Sequence, residues 1–109
     1  MNAIEQNDLI QQVVKRIVGA VHPQRVLLFG SAARGQMGPD SDFDVLVIVR
    51  EGIHRGETCK RAYRSLKGFG FAVDIVVVTE RDMLEQGDNP YYVIKSALDD
   101  GVELYRVAA

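Results

Sequence analysis

Between residues 3 and 21, Leu9, Ile10, Val13, Val14, Ile17, Val18 and Val21 recur at the spacing of one helical face. Glu5, Gln11, Gln12, Lys15 and Arg16 fill the other face. Pro23, with no backbone N–H to continue the ladder, ends this helix. The period then changes. Arg25–Phe29 is a short apolar run that breaks at Gly30-Ser31, which predicts a strand turning sharply. Ser31 is placed to cap a very short helix through Arg34, with Gly35 to end it. Residues 35–41 are rich in turn formers. Residues 42–49 are apolar on both faces beyond an acidic start, the signature of a covered, central strand.

The second half repeats the alternation of elements. Arg50 to Gly56 is polar and glycine-flanked and is expected to be a mobile loop. A helix follows from about Glu57 to Lys67, with Cys59, Ala62, Tyr63 and Leu66 as its buried stripe and Lys60, Arg64 and Lys67 facing solvent. Gly68 and Gly70 close it. Phe71–Val78 reads as a third strand, interrupted by Asp74. Thr79 can cap a short helix, with Asp82 in its first turn and Gly87 at its end. Asn89-Pro90 opens a further helix whose apolar face is Val93, Ile94, Ala97 and Leu98, and Gly101 ends it. Val102–Tyr105 supplies a short edge strand. The order is that of a single α/β domain spanning 1–109, without repeats or low-complexity segments.

Composition narrows the classes. At 109 residues the chain can bury one modest core. No apolar run approaches membrane-spanning length, and the N-terminus lacks the basic–apolar–small order of a signal peptide, so a cytoplasmic protein is expected. The single cysteine, Cys59, allows no internal disulfide and reads as a core or interface residue. A net charge of −2 argues against a chain whose main task is gripping a nucleic-acid backbone, so direct nucleic-acid binding is not expected. The cluster Lys60, Arg61, Arg64, Lys67 reads as a solvated helix face, with partner docking as the alternative.

The candidate chemistry sits around the second strand. Asp42 and Asp44 are two apart, so in an extended chain both project to one side while Phe43 projects to the other. Two adjacent carboxylates repel unless a cation lies between them. Asp74 is costly within an apolar run unless something compensates it. If the third strand lies beside the second, Asp74 joins Asp42 and Asp44 on one face. Three carboxylates with phosphate oxygens suit one or two Mg²⁺ ions, and Asp74 is placed to direct a hydroxyl proton. Upstream, Gly30 lets the backbone turn and admits a phosphate, while Ser31 and the N–H groups after it offer donors to an anion. A metal–nucleotide is the ligand that needs both. Taken singly, each acid could instead belong to a turn or a strand edge, and Ser31 could be a plain N-cap. Arg34 either pairs with a phosphate or braces the acidic loop. His22 and His54 have no companion ligands and are given no role. Tyr91 and Tyr92 read as packing and rim residues.

Gly30-Ser31, Asp42-Phe43-Asp44 and the later Asp74 resemble the motif of the minimal nucleotidyltransferase domain of the DNA polymerase β superfamily, and the likeness covers nearly the whole chain. The resemblance implies a small mixed α/β fold in which Ser31 contacts the terminal phosphates of ATP, Asp42 and Asp44 hold Mg²⁺, and Asp74 completes the acid triad. Larger relatives carry an added domain for the acceptor. Small stand-alone members, of the MntA type, pair with a helical HEPN ribonuclease toxin and resemble protein adenylyltransferases that move AMP onto a tyrosine of that toxin. The expectation is therefore an antitoxin enzyme acting on a HEPN partner. Two other readings stay open: an antitoxin that silences its partner by occlusion, and a nucleotidyltransferase acting on a small molecule or an RNA end.

Overall fold

A computed structural model describes residues 3–33, 42–86, 97 and 99–108. The chain runs α1 (Ala3–Val21), β1 (Arg25–Phe29), α2 (Gly30–Ala33), β2 (Phe43–Val49), α3 (Arg55–Ser65), β3 (Val73–Thr79), α4 (Glu80–Gln86) and β4 (Val102–Arg106). The four strands form one sheet in the order β3-β2-β1-β4. β1 is antiparallel to both of its neighbours, whereas β2 and β3 are parallel, so the sheet is mixed. A parallel pair needs a crossover, and α3 supplies it.

The two apolar faces of β2 explain its central position. Phe43, Val45, Val47 and Val49 pack with Val26 and Leu28 of β1 against Ile10, Val13, Val14 and Ile17 of α1 and Ala62 of α3. Leu46 and Ile48 point the other way, into a second cluster with Leu27, Phe29, Val78, Met83 of α4 and Ala97. A side chain of this kind contributes about 1.5–3 kcal/mol when fully buried, so β2 is held from both sides. No helix among the described residues is long and apolar enough to cross a membrane.

Local chemistry moves three boundaries from their expected places. α3 starts at Arg55 rather than Glu57, because His54 caps it: its Nδ1 accepts the Glu57 N–H at 3.0 Å. Arg55 and Gly56 thus belong to the helix and not to the preceding loop. At the other end Leu66 and Lys67 donate to Tyr63 and Arg64 carbonyls three residues back, a tightened last turn that stops α3 short of Lys67. Within α3 only Thr58 and Ala62 are buried; Cys59 is half-buried and Tyr63 is 44% exposed, so the expected stripe is narrower. β3 begins at Val73, where its pairing with Phe43 begins, and Phe71 lies exposed outside the sheet.

The remaining expectations fare differently by segment. Thr79 and Asp82 form a reciprocal cap on α4: the Thr79 hydroxyl accepts the Asp82 N–H at 3.1 Å, and the Asp82 carboxylate accepts the Thr79 N–H at 2.9 Å. The edge strand pairs with β1, with a register shift between Val26 and Leu27 that interrupts the ladder. Ala97 is buried and Gly101 closes a helical turn on its carbonyl at 2.9 Å. The expected start of that helix at Asn89-Pro90, its positions Val93, Ile94 and Leu98, the helix end at Gly87, the rim residues Tyr91 and Tyr92, and the loop 35–41 lie outside the described residues.

Candidate active site

The end of β1 and the beginnings of β2 and β3 meet at one rim of the sheet. Phe29 pairs with Asp44 across the antiparallel β1–β2 ladder, and Asp44 pairs with Asp74 across the parallel β2–β3 ladder. Register partners share a face, so the Asp44 and Asp74 side chains stand side by side. That face is the one opposite α1 and α3, since Phe43 and Val45 on either side of Asp44 belong to the α1 cluster. The adjacency that the sequence made conditional on strand order is therefore present for this pair. Asp42 immediately precedes β2 and is half-buried; the Phe43 N–H after it already donates to the Ala72 carbonyl at 3.1 Å. Asp44 is half-buried and Asp74 is exposed, so the rim opens outward on the β3 side.

Phe43, between Asp42 and Asp44 in the chain, is fully buried and packs into the core below. Gly30 stands at the turn with φ +72°, a left-handed conformation, and a Cβ there would collide with the Asp44 carboxylate. Glycine is thus required twice over, for its backbone angle and for the closeness of Asp44. The sharp turn expected at Gly30 is present, and the side of it where a Cβ would stand is occupied by Asp44. Ser31 falls inside the first turn of α2, which begins at Gly30, two residues earlier than a Ser31 cap implies. Arg34 lies outside the described residues.

One contact near the site gave no signal in the sequence. β3 is an edge strand, and the Ile75 N–H, in the peptide that follows Asp74, donates to the Tyr63 hydroxyl at 2.9 Å. Tyr63 had read as an apolar face residue of α3. A tyrosine at helical spacing does not disclose which distant amide its hydroxyl will meet.

The donors at this rim are carboxylate oxygens. Among the described residues no group of three or more His, Cys, Asp or Glu side chains is gathered as a metal cage. What the rim offers is a register-matched pair of carboxylates, with a third two residues before one of them. Oxygen-only donors in that number suit Mg²⁺, which takes one or two carboxylates and completes its shell with phosphate and water. The residues fit such an ion held jointly with a nucleotide.

The sequence profile of the nucleotidyltransferase domain family matches residues 8–104. This chain belongs to the nucleotidyltransferase domain family. Its fold is that of known nucleotidyltransferase structures. A putative nucleotidyltransferase from Sulfolobus solfataricus superposes with a TM-score of 0.64 at 22% identity, over 94% of this chain and 82% of that one. A mutant of the toxin–antitoxin MntA–HpeT gives 0.62 at 19% identity, over 90% and 72%. A toxin–antitoxin with AMP-PNP gives 0.54 at 19% identity, over 89% and 73%. No curated protein matches the chain.

Proposed function

We propose that this nucleotidyltransferase domain is an antitoxin that transfers AMP from ATP to a tyrosine of a partner HEPN ribonuclease toxin. The observation that carries the reading is the placement of Asp44 and Asp74 in register on one face, beside the Gly30 turn. Support for the biological setting comes from fold neighbours that are toxin–antitoxin structures, one of them with AMP-PNP.

In this reading Asp42 and Asp44 hold Mg²⁺ with Asp74 completing the set of acids around it, and Ser31 at the turn contacts the terminal phosphates. Bound there, the ion neutralises charge on the reacting phosphate and lowers the pKa of an attacking hydroxyl. Asp74 takes or directs the proton of the acceptor tyrosine. The tyrosine oxygen forms a bond to the α-phosphorus, the α–β phosphoanhydride bond breaks, and pyrophosphate leaves with its electron pair. The rate comes chiefly from positioning and electrostatics, since the protein forms no covalent bond to the substrate. Exposure of Asp74 matters here: an acceptor presented by another protein has to reach the rim from outside.

The test is incubation with α-labelled ATP, Mg²⁺ and the protein encoded beside this chain's gene. Label on a tyrosine of that partner is expected, and its loss with Asp42→Asn. An unlabelled partner that is nonetheless silenced by Asp42→Asn protein would replace transfer by occlusion. Label on a small molecule or an RNA end instead would move the acceptor to another class.

A further inference from the structure

The net charge of −2 conceals a segregation of charge between the layers of the molecule. Residues 9–21 of α1 and 58–72 of α3 and the turn after it contain Lys15, Arg16, Lys60, Arg61, Arg64 and Lys67 and not one carboxylate. These segments pack together as the helical layer on the side of the sheet away from Asp44. Glu5 and Asp8 at the start of α1 and Glu57 at the start of α3 are the only acids of these two helices, against Lys15, Arg16, Arg55, Lys60, Arg61 and Arg64 on the helices themselves. Potential at a surface follows the local distribution and not the average, so this layer is cationic on an acidic protein.

Among the described residues, two arginines of the layer are hydrogen-bonded across it and four of its cations form no ion pair. Arg61 donates to the Ala20 carbonyl at 2.7 Å, and Arg16 donates to the Lys67 carbonyl at 3.3 Å, so each ties the end of one helix to the other. Lys15, Lys60, Arg64 and Lys67 are exposed, and among the described residues the ion pairs involve other arginines. Between the helices runs an open groove of about 530 Å³ lined by Gln12, Lys15, Arg16, Gly19 and Ser65. Beside it, aromatic rings are presented on the turn after α3. Phe69 stacks under the Arg16 guanidinium at 5.5 Å, and Phe71 lies 5.8 Å from Phe69 with 47% of its surface exposed. Tyr63, on the same helix as Lys60, Arg64 and the groove residue Ser65, is 44% exposed.

From this we infer that the α1–α3 layer binds a single-stranded nucleic acid, with Lys15, Lys60, Arg64 and Lys67 on its phosphates and Phe71 stacking on a base. Cations along a groove with exposed rings beside them are the pattern of sequence-tolerant strand binding. An acidic peptide would use the cations but would leave the ring faces without a purpose. The surface is on the opposite face of the sheet from the acid rim, so it stands independently of the transfer reaction proposed above.

Fluorescence anisotropy of a labelled oligouridylate, titrated with the whole protein at rising salt, tests this. Binding is expected that weakens with salt at a log–log slope of about −3, as four neutralised phosphates on a single strand require. The exposed double variant Lys60→Glu with Arg64→Glu should lose affinity more than tenfold, with an unchanged thermal transition. Phe71→Ala should lose affinity severalfold while keeping the salt slope. Absence of binding at low salt, equal binding by the double variant, or equally tight capture of a labelled oligoglutamate would each overturn the inference.

Discussion

Two sets of acids in this protein are handled in opposite ways. At the β1–β4 edge Glu103 sits between two arginines, 2.7 Å from Arg25 and 2.8 Å from Arg106. At the other rim Asp44 is set in register with Asp74, a like charge on the neighbouring strand. The first arrangement is complete by itself: the hydrogen bonds from Arg106 and Arg25 hold the Glu103 carboxyl below its usual pKa. The second sets two negative charges side by side, a placement that a cation from outside would repay. The surroundings of Glu103 are set by neighbouring arginines, whereas the pairing of Asp44 with Asp74 is set by strand topology.

Replacing an acid of the second set should separate activity from stability most strongly. Asp44→Asn removes a metal-holding charge in the proposed reaction, and nucleotidyl transfer measured with labelled ATP should fall by a factor on the order of 1,000 or more. Asparagine is nearly isosteric with aspartate, so the thermal transition should shift far less than activity does. Phe43→Ala tests the floor beneath both acids. Emptying a fully buried aromatic site should cost about 3–5 kcal/mol in denaturant unfolding, and activity should fall with the folded fraction. Gly30→Ala combines a left-handed backbone with a collision against Asp44, so about 1–3 kcal/mol of stability should be lost. Unlike Phe43→Ala, it should also depress transfer in the protein that remains folded, since it displaces the carboxylate.

Glu103 gives the smallest effect and the control. Its carboxyl is easier to ionise in the folded chain than in the unfolded one, so its contribution is present above the unfolded pKa and fades as pH falls through the folded one. Glu103→Gln should therefore flatten the acid side of the stability profile, measured by thermal unfolding between neutral pH and pH about 3, where exposed carboxyls titrate. Transfer activity should be unaffected, because the arginine-paired edge is remote from the rim.

How far the sequence discloses this differs by element. α1 and β1 have the bounds their patterns predict, and β2 is central because its apolar residues fill both faces. The i, i+2 spacing of Asp42 and Asp44 is a property of any extended chain and needs no coordinates. Asp74 is different. Its approach to Asp44 depends on β3 lying parallel and next to β2, a matter of topology that no local pattern encodes. The shifted start of α3 has the reverse cause, since His54 caps the helix through a single side-chain bond too local for periodicity to detect. Tyr63 and Cys59 read as buried because α3 is amphipathic, yet only its Thr58–Ala62 line reaches the core.

The central claim is that the paired acids hold a divalent cation together with a nucleotide. Calorimetric titration of a non-hydrolysable ATP analogue, with and without Mg²⁺, into the wild-type chain and the Asp44→Asn and Asp74→Asn variants tests it most directly. Binding that requires Mg²⁺ in the wild type and weakens at least tenfold in both variants is the predicted result, a loss of about 1.4 kcal/mol or more. Equal affinity in all three proteins, or binding indifferent to Mg²⁺, would contradict it.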